Sequence, residues 1–258
     1  MDMPLNLAID GHVATITMNN PPANTWTVES LTQLAAMVEE LNLNKDVYAL
    51  VVASASEKFF SAGADLKLFA DGDKKVAKDM AHLFGRAFET LADFRGVSIA
   101  AINGYAMGGG LEVALACDIR IAEEQAVMAL PEAKVGLLPC AGGTQNMTHL
   151  VGEGWAKKVI LCGEQLDAAK AQAIGLVEEV VAKGGALERA RALAEQVGNQ
   201  SPMAVAACKK LIQTCRVAPM KEGYAKEKEF FVKLFDGEDQ QEGVQAFLGK
   251  RKPEWKNQ

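Results

Sequence analysis

The stretch 96–117 constrains the fold more than any other part of the sequence, because it is long, apolar and almost free of charge. Glu112 is its only formally charged residue. Such a stretch is long enough to cross a membrane, but Asn103, Glu112 and the glycines at 108–110 argue against a membrane span. The pattern predicts instead a buried strand, a tight turn and a buried helix. A carboxyl group in these surroundings is costly unless it has a function.

Strand and helix patterns alternate around this stretch. Leu5–Ile9 and Val13–Met18 show the alternation of a β-hairpin, whereas Tyr48–Ala53 and Ser98–Ile102 are short apolar runs typical of buried strands. Apolar residues in Lys74–Phe94 recur at helical spacing. Three shorter strand patterns lie at 119–122, 127–130 and 177–181. This alternation is typical of an α/β fold with a mainly parallel sheet.

The C-terminal part of the chain has a different pattern. Gly198–Pro202 contains helix-breaking residues. Three helical segments follow it, near 203–215, 220–235 and 239–250. We therefore expect two domains, an α/β domain over residues 1–199 and a helical lobe over residues 200–258.

Charge and cysteine content exclude several classes of protein. Against 27 Lys and Arg residues stand 33 Asp and Glu residues, a net charge of −6, so we expect no nucleic-acid partner. The five cysteines are odd in number without CxxC spacing, and the chain opens without a signal-peptide pattern. These features predict a cytoplasmic protein with reduced thiols and no membrane association. The three histidines are widely spaced, so no metal site is predicted.

Two runs of small residues could place backbone N–H groups around a ligand. Gly108–Gly110 directly precedes a helical pattern, where the first amides have no intrahelical partner. Ala62–Ala64 likewise follows a strand. Two N–H groups that converge on one oxygen form an oxyanion hole. For a glycine triplet taken alone, close packing of helix on strand is the more common explanation.

Two glutamates have apolar neighbours on both sides. Glu112 falls in the first turn of the buried helix, and Glu132 is bracketed by Leu130-Pro131 and the run 135–139. Burial raises the pKa of a carboxyl group, and two carboxyl groups with different pKa values suit general acid and base catalysis. The alternatives are a helix-dipole partner for Glu112 and a turn acid for Glu132.

Four motifs together resemble one known family. They are Phe60–Lys67 (FSAGADLK), Asn103–Glu112 (NGYAMGGGLE), Leu130–Glu132 (LPE) and Gly142–Gln145 (GGTQ). The chain is similar to the enoyl-CoA hydratase/isomerase, or crotonase, superfamily over nearly its whole length. The resemblance implies an α/β, crotonase-like spiral of ββα units that binds acyl-CoA, with a C-terminal helical trimerisation lobe. We therefore expect a homo-trimer or a homo-hexamer.

The resemblance also implies roles for individual residues. It makes the backbone N–H groups of Ala64 and Gly109 the oxyanion hole for the thioester carbonyl of an acyl-CoA substrate. Members of the family that hydrate a double bond carry glutamates at the positions of both Glu112 and Glu132, whereas many of their relatives replace at least one. This implies an enoyl-CoA hydratase of fatty-acid or amino-acid degradation, which adds water to a trans-2-enoyl-CoA and gives a 3-hydroxyacyl-CoA.

Contacts to CoA follow from the same resemblance. The residues expected to lie along the substrate are Ala62, Asp65, Leu66, Gly108, Lys250 and Lys252. CoA is part of the substrate, so no separate cofactor and no metal are expected. The chain departs from the family at two places near the site, with Asn146-Met147 where arginine and leucine are usual and Cys140 where glycine is common.

Two other functions are compatible with this sequence. A Δ3-Δ2 enoyl-CoA isomerase would need only one of the two glutamates, and a non-catalytic acyl-CoA-binding subunit would need neither. The presence of both Glu112 and Glu132 favours the hydratase. The length of the acyl chain is not predicted, because it depends on how the helix from Lys74 and the residues near Leu137 fold over the site.

Overall fold

The N-terminal part forms a hairpin and a helix. The computed structural model describes residues 3–258. Strands β1 (Leu5–Asp10) and β2 (Val13–Met18) pair antiparallel, and the short β3 (Thr25–Trp26) leads into α1 (Val28–Leu43). Thr27 caps α1: its hydroxyl accepts a hydrogen bond from the Ser30 N–H at 3.2 Å, while its own N–H donates to the Ser30 hydroxyl at 2.9 Å. This capping box fixes the start of the helix.

The middle of the chain repeats one unit of two strands and a helix. The first unit contains β4 (Ala49–Ser54), β5 (Phe59–Ser61) and α2 (Lys74–Ala92), with the additional two-residue strand β6 (Gly63–Ala64) between β5 and α2. The second contains β7 (Val97–Ile102), β8 (Tyr105–Met107) and α3 (Gly109–Ala116). The third contains β9 (Ile119–Glu123), β10 (Val127–Ala129) and α4 (Gly143–Cys162). In each unit the first strand joins one sheet and the second strand joins another, which is the expected ββα spiral.

The remaining elements complete the sheets and cover them. They are β11 (Leu166–Asp167), α5 (Ala168–Ala173), β12 (Glu179–Val181) and α6 (Ala186–Gly198). The larger sheet has the order β1-β2-β4-β7-β9-β12 and is parallel except for the first hairpin. The smaller sheet has the order β11-β10-β8-β5, and β3 pairs with β6. All strands expected from apolar runs belong to these sheets.

The smaller sheet contains most of what the sequence patterns did not predict. Strand β8 occupies part of the stretch 96–117 where only a tight turn was expected, so that prediction was incomplete. Strands β5, β8 and β10 have three residues each. Alternation cannot be recognised over three residues, which explains why β5 and β8 were missed.

Two apolar layers enclose the larger sheet. Ala49 and Val51 of β4 are buried in one layer with Ala190 of α6, whereas Leu50 and Val52 are buried in the other layer with side chains from α1, α2 and α3. Because successive side chains of a strand point to opposite faces, a strand covered on both faces is apolar throughout. This arrangement explains the uninterrupted apolar runs in the sequence.

The C-terminal part is helical. It contains α7 (Pro202–Thr214), α8 (Met220–Lys233) and α9 (Glu238–Leu248), with a 3₁₀ turn at Leu234–Asp236. Lys209 of α7 attaches it to the α/β part, because its ammonium group donates to the Phe94 carbonyl at 2.6 Å and pairs with Asp118 at 2.7 Å. Within residues 3–258, no helix combines the length and the apolar character needed to cross a membrane.

Candidate active site

A cavity of about 640 Å³ lies where α2, the start of α3 and two loops meet. The loops are those at 62–69 and 131–140. Helix α2 contributes apolar side chains such as Met80 and Phe84 to its wall. Glu112 and Glu132 are its only acidic lining residues among those that the structure describes. A mainly apolar cavity with a few convergent polar groups is the usual form of a small-molecule site.

The loop that carries Ala64 is held by the segment before α1. The N–H of Ala62 donates to the Ala23 carbonyl at 2.9 Å, and the N–H of Asp65 donates to the Trp26 carbonyl at 3.4 Å. Between these two hydrogen bonds, Ala64 itself lines the cavity.

Gly109 lies at the start of α3, directly beside that loop. The first amides of a helix have no intrahelical partner, and Gly108 precedes the helix with a φ of +53°. The backbone nitrogen of Gly109 lies 3.0 Å from the point where a Cβ atom on Gly63 would stand. This close approach requires glycine at 63, whose φ is +88°. The structure thus brings Ala64 and Gly109, the two predicted donors, to one wall of the cavity.

Glu112 is almost completely buried, with 3% of its surface exposed. Its Oε1 atom accepts hydrogen bonds from the N–H groups of Ala141 at 2.8 Å and Gly143 at 2.9 Å. Burial raises the pKa of Glu112, and these two N–H groups oppose the rise because they stabilise the charged form. A Cβ atom on Gly143 would lie only 2.8 Å from the same oxygen, so glycine is needed there.

Glu132 has a contrasting environment. It begins a 3₁₀ turn, Glu132–Val135, after β10, and within residues 3–258 neither of its buried carboxyl oxygens has a hydrogen-bond partner. Burial raises the pKa of Glu132 to about 7; its own backbone N–H opposes the rise, and the charge of Glu112 adds to it. The carboxylate of Glu112 therefore accepts two well-formed hydrogen bonds from N–H groups, whereas the only N–H that opposes protonation of Glu132 is its own. Such a difference suits a base and an acid at one site.

The other predicted substrate contacts divide into two groups. Ala62, Leu66 and Gly108 line the cavity. Among the described residues that line it, Asp65, Lys250 and Lys252 do not appear. The carboxylate of Asp65 instead accepts a hydrogen bond from the Lys67 N–H at 3.1 Å and caps the 3₁₀ turn Leu66–Phe69.

The two C-terminal lysines that were predicted to contact CoA, Lys250 and Lys252, follow the end of α9. Over residues 3–258 no group of three or more His, Cys, Asp or Glu side chains has a metal-binding arrangement.

Asn24 and Ser61 support the site, although the sequence patterns did not identify them. The side-chain amide of Asn24 donates to the Ser54 hydroxyl at 2.8 Å and to the Phe60 carbonyl at 3.2 Å. The Ser61 hydroxyl donates to the Asn24 carbonyl at 2.6 Å. The one available sequence signal for Asn24 was its place in the segment 19–24, which contains two adjacent prolines. Its hydrogen-bond partners lie far along the chain, so the sequence did not reveal them.

Cys140 was considered only as a departure from the family pattern, yet it lines the cavity. Although Cys140 as a whole is exposed, desolvation of its thiol and the nearby carboxyl groups of Glu112 and Glu132 raise the pKa of the thiol. It is a candidate neighbour of the substrate rather than a nucleophile.

Comparison with known proteins gives one consistent family. The family model described as enoyl-CoA hydratase/isomerase matches residues 8–258. The chain is 37% identical to the 2,3-dehydroadipyl-CoA hydratase of Escherichia coli (strain K12), over 95% of each chain. It is 35% identical to the short-chain-enoyl-CoA hydratase of Clostridium acetobutylicum, over 95% of this chain and 94% of the relative.

Solved structures agree with the sequence comparisons. The structure of Pseudomonas aeruginosa DspI has a TM-score of 0.97 and 60% sequence identity, and the match covers 99% of this chain and 97% of that one. The match of the family model over nearly the whole chain, together with these relatives, shows that this chain belongs to the enoyl-CoA hydratase/isomerase family.

Proposed function

We propose that this protein is an enoyl-CoA hydratase, which adds water across the double bond of a trans-2-enoyl-CoA and forms a 3-hydroxyacyl-CoA. The proposal rests on one observation, that two carboxyl groups and two candidate backbone donors line the same cavity. Glu112 and Glu132 lie in it with different hydrogen-bonding environments, and Ala64 and Gly109 line the same space. Both carboxyl groups and both backbone donors are needed for hydration.

The two backbone N–H groups would act on the thioester carbonyl. Hydrogen bonds from Ala64 and Gly109 would stabilise the negative charge that develops on this oxygen when water attacks. Removal of one such donor typically costs about 2.7–4 kcal/mol of transition-state stabilisation. The polarised carbonyl withdraws electrons from the conjugated double bond, so that its β carbon becomes electrophilic.

The two glutamates would divide the proton transfers between them. Glu112, held by two N–H donors, is suited to be ionised and to take a proton from the attacking water. Glu132, whose pKa is raised to about 7, is suited to be protonated and to deliver its proton to the α carbon as the enolate collapses. The O–H bond of water breaks, the new C–O and C–H bonds form, and the two acids exchange protonation states. The reaction as proposed uses no metal or redox cofactor.

The rest of the CoA molecule would extend from this centre along the loop at 62–66. Ala62 and Leu66 line the cavity there, and Asp65 is their neighbour. Lys250 and Lys252 remain candidates for the nucleotide phosphates. The named substrates of the E. coli and C. acetobutylicum relatives differ in their acyl groups, so we propose no particular acyl chain.

We further propose a cytoplasmic homo-trimer or homo-hexamer that is assembled through the helical lobe, residues 200–258. Ile212, Phe231 and Phe247 on this lobe are 68%, 64% and 83% exposed. Large exposed apolar side chains on one lobe are typical of a surface that is covered by another subunit. All five cysteines are free thiols, which fits a reducing compartment.

Turnover of two isomeric substrates tests the proposed reaction. Purified protein should remove the absorbance of crotonyl-CoA, a trans-2-enoyl thioester, and should do so in the presence of a metal chelator. Conversion of a 3-enoyl-CoA to the 2-enoyl isomer without hydration would instead establish the isomerase. CoA binding without turnover of a graded series of thioesters would establish a non-catalytic binding subunit.

A further inference from the structure

Trp26 lies behind the backbone segments that carry both predicted oxyanion donors. The residue is 2% exposed and is not one of the described residues that line the cavity. Its main chain pairs with β6, where Trp26 lies opposite Ala64, and its carbonyl accepts the Asp65 N–H at 3.4 Å. The backbone of Trp26 therefore sets the position of the strand that presents the Ala64 N–H.

The indole ring of the same residue lies beside the second donor segment. Its Cδ1 atom lies 3.5 Å from the point where a Cβ atom on Gly109 would stand, and Cε1 of Phe84 lies 3.0 Å from the same point. Phe88 of α2 meets the ring edge to face, with ring centroids 5.4 Å apart. The ring thus lies between α2 and the start of α3, and together with Phe84 it leaves little space for Gly109 to move toward the core.

The orientation of the ring carries a cost that an apolar side chain would avoid. Within residues 3–258, the indole N–H of Trp26 is buried without a hydrogen-bond partner, and leaving a buried donor unpaired destabilises the folded protein. Cδ1 is bonded to Nε1, so the edge near Gly109 is the electropositive edge of the ring. The space could be filled by leucine or phenylalanine without this unpartnered N–H.

We propose that Trp26 is a positioning residue for the oxyanion hole. Its main chain pairs with the strand of Ala64 and its ring packs beside Gly109, so that one residue acts on both segments that carry the N–H groups. The inference rests on the proposed function, because it assumes that these donors polarise the thioester. A small displacement of a positioned group can cost up to about 100-fold in rate, and oxyanion donors act mainly on the charge that develops in the transition state. Loss of the ring should therefore lower kcat more than it raises KM.

A chromophoric thioester measures this positioning directly. Bound 4-(dimethylamino)cinnamoyl-CoA should absorb at longer wavelength when hydrogen bonds polarise its carbonyl. We expect Trp26→Leu to bind this probe with a smaller red shift and to lower kcat for crotonyl-CoA about 10- to 100-fold, with KM changed less than about 3-fold. Trp26→Phe, which keeps an aromatic ring, should recover part of both signals.

Phe94→Leu is the matched control. Phe94 is also fully buried, and its backbone carbonyl contacts Lys209 rather than the donor segments. It should lose comparable stability while keeping the red shift and kcat. If Trp26→Leu does not fold, the red shift of the bound probe and the kcat of Trp26→Phe test the positioning role instead.

The outcomes separate this inference from the proposed function. A full red shift and unchanged kcat in the Trp26 variants would overturn the positioning role alone. A red shift in the wild-type protein without hydration of any 2-enoyl thioester would overturn the hydratase and leave the positioning role supported if the variants lose the shift. A wild-type protein that binds the probe with no red shift would overturn both.

Discussion

The Oε1 atom of Glu132 lies 3.0 Å from the point where a Cβ atom on Gly108 would stand. Gly108 immediately precedes Gly109, the predicted oxyanion donor, so the acid lies beside the donor segment with no space for a side chain between them. Any atom added at Gly108 has to displace the carboxyl group or the start of α3. A side chain at Gly108 would therefore disturb both the proposed proton donor and the segment that forms the proposed oxyanion hole.

Gly108→Ala should lose activity beyond its effect on stability. The φ of +53° at this residue disfavours alanine by about 1–3 kcal/mol, and the new methyl group presses on Glu132. We expect kcat to fall at least about 10-fold. The measurement is a pair of thermal unfolding and crotonyl-CoA turnover experiments.

Gly11→Ala provides the control for this substitution. Gly11 has the same φ of +53°, and a Cβ atom there would meet nothing within 4 Å. Its stability should fall while kcat stays unchanged. Equal losses of kcat in both variants would show that contact with Glu132 is not the cause.

The carboxyl groups can be tested by isosteric substitution. Glu112→Gln and Glu132→Gln should each lower kcat for hydration about 100- to 10,000-fold, which is the usual contribution of a positioned acid or base. Glu195→Gln, on the exposed side of α6, should have wild-type activity. A folded Glu132→Gln protein with wild-type turnover would remove Glu132 from the mechanism.

The proposed roles of Glu112 as base and Glu132 as acid predict that kcat/KM has a bell-shaped dependence on pH. The active dyad carries one proton, so kcat/KM should fall above about pH 7, where Glu132 loses its proton, and should fall again in acid as Glu112 gains one. Hydration and dehydration should give the same profile, because the overall reaction releases no proton. Steady-state kinetics in both directions from about pH 5 to pH 9 measure it, and a flat profile across pH 7 would contradict the assignment.

The raised pKa of Glu132 also predicts how stability depends on pH. Between its ordinary value of 4.5 and about 7, the folded protein keeps a proton that the unfolded chain has released. The free energy of unfolding contributed by this group therefore falls as the pH rises through this window. Glu132→Gln removes the effect, so its melting temperature should rise relative to wild type between about pH 4.5 and pH 8. A difference that is constant over this range would show that Glu132 titrates normally.

The sequence predicts the larger sheet better than the smaller one for a physical reason. Strands such as β4 and β7 are buried on both faces, so each is a recognisable apolar run. The three-residue strands β5 and β8 are too short to show a period, and they are defined by pairing with residues distant in sequence. Their position becomes visible only when the ββα units are stacked.

At the site, too, the sequence predicts features that depend on neighbouring residues and misses contacts between segments that are distant along the chain. Apolar neighbours correctly indicate that Glu112 is buried, since its flanking residues form one helix. The N–H groups that hold its carboxylate come from Ala141 and Gly143 on a later segment, and no local pattern specifies that contact. The support that Asn24 gives to the loop at 60–64 is hidden for the same reason.

A crystal structure with acetoacetyl-CoA tests the central claim most directly, because this thioester presents its carbonyl oxygen where the enolate oxygen would form. The account predicts that the thioester oxygen lies about 2.7–3.1 Å from the backbone nitrogens of both Ala64 and Gly109, with the carboxyl groups of Glu112 and Glu132 beside the α and β carbons. A thioester oxygen bound away from these two nitrogens, or an acyl chain out of reach of the two carboxyl groups, would contradict it.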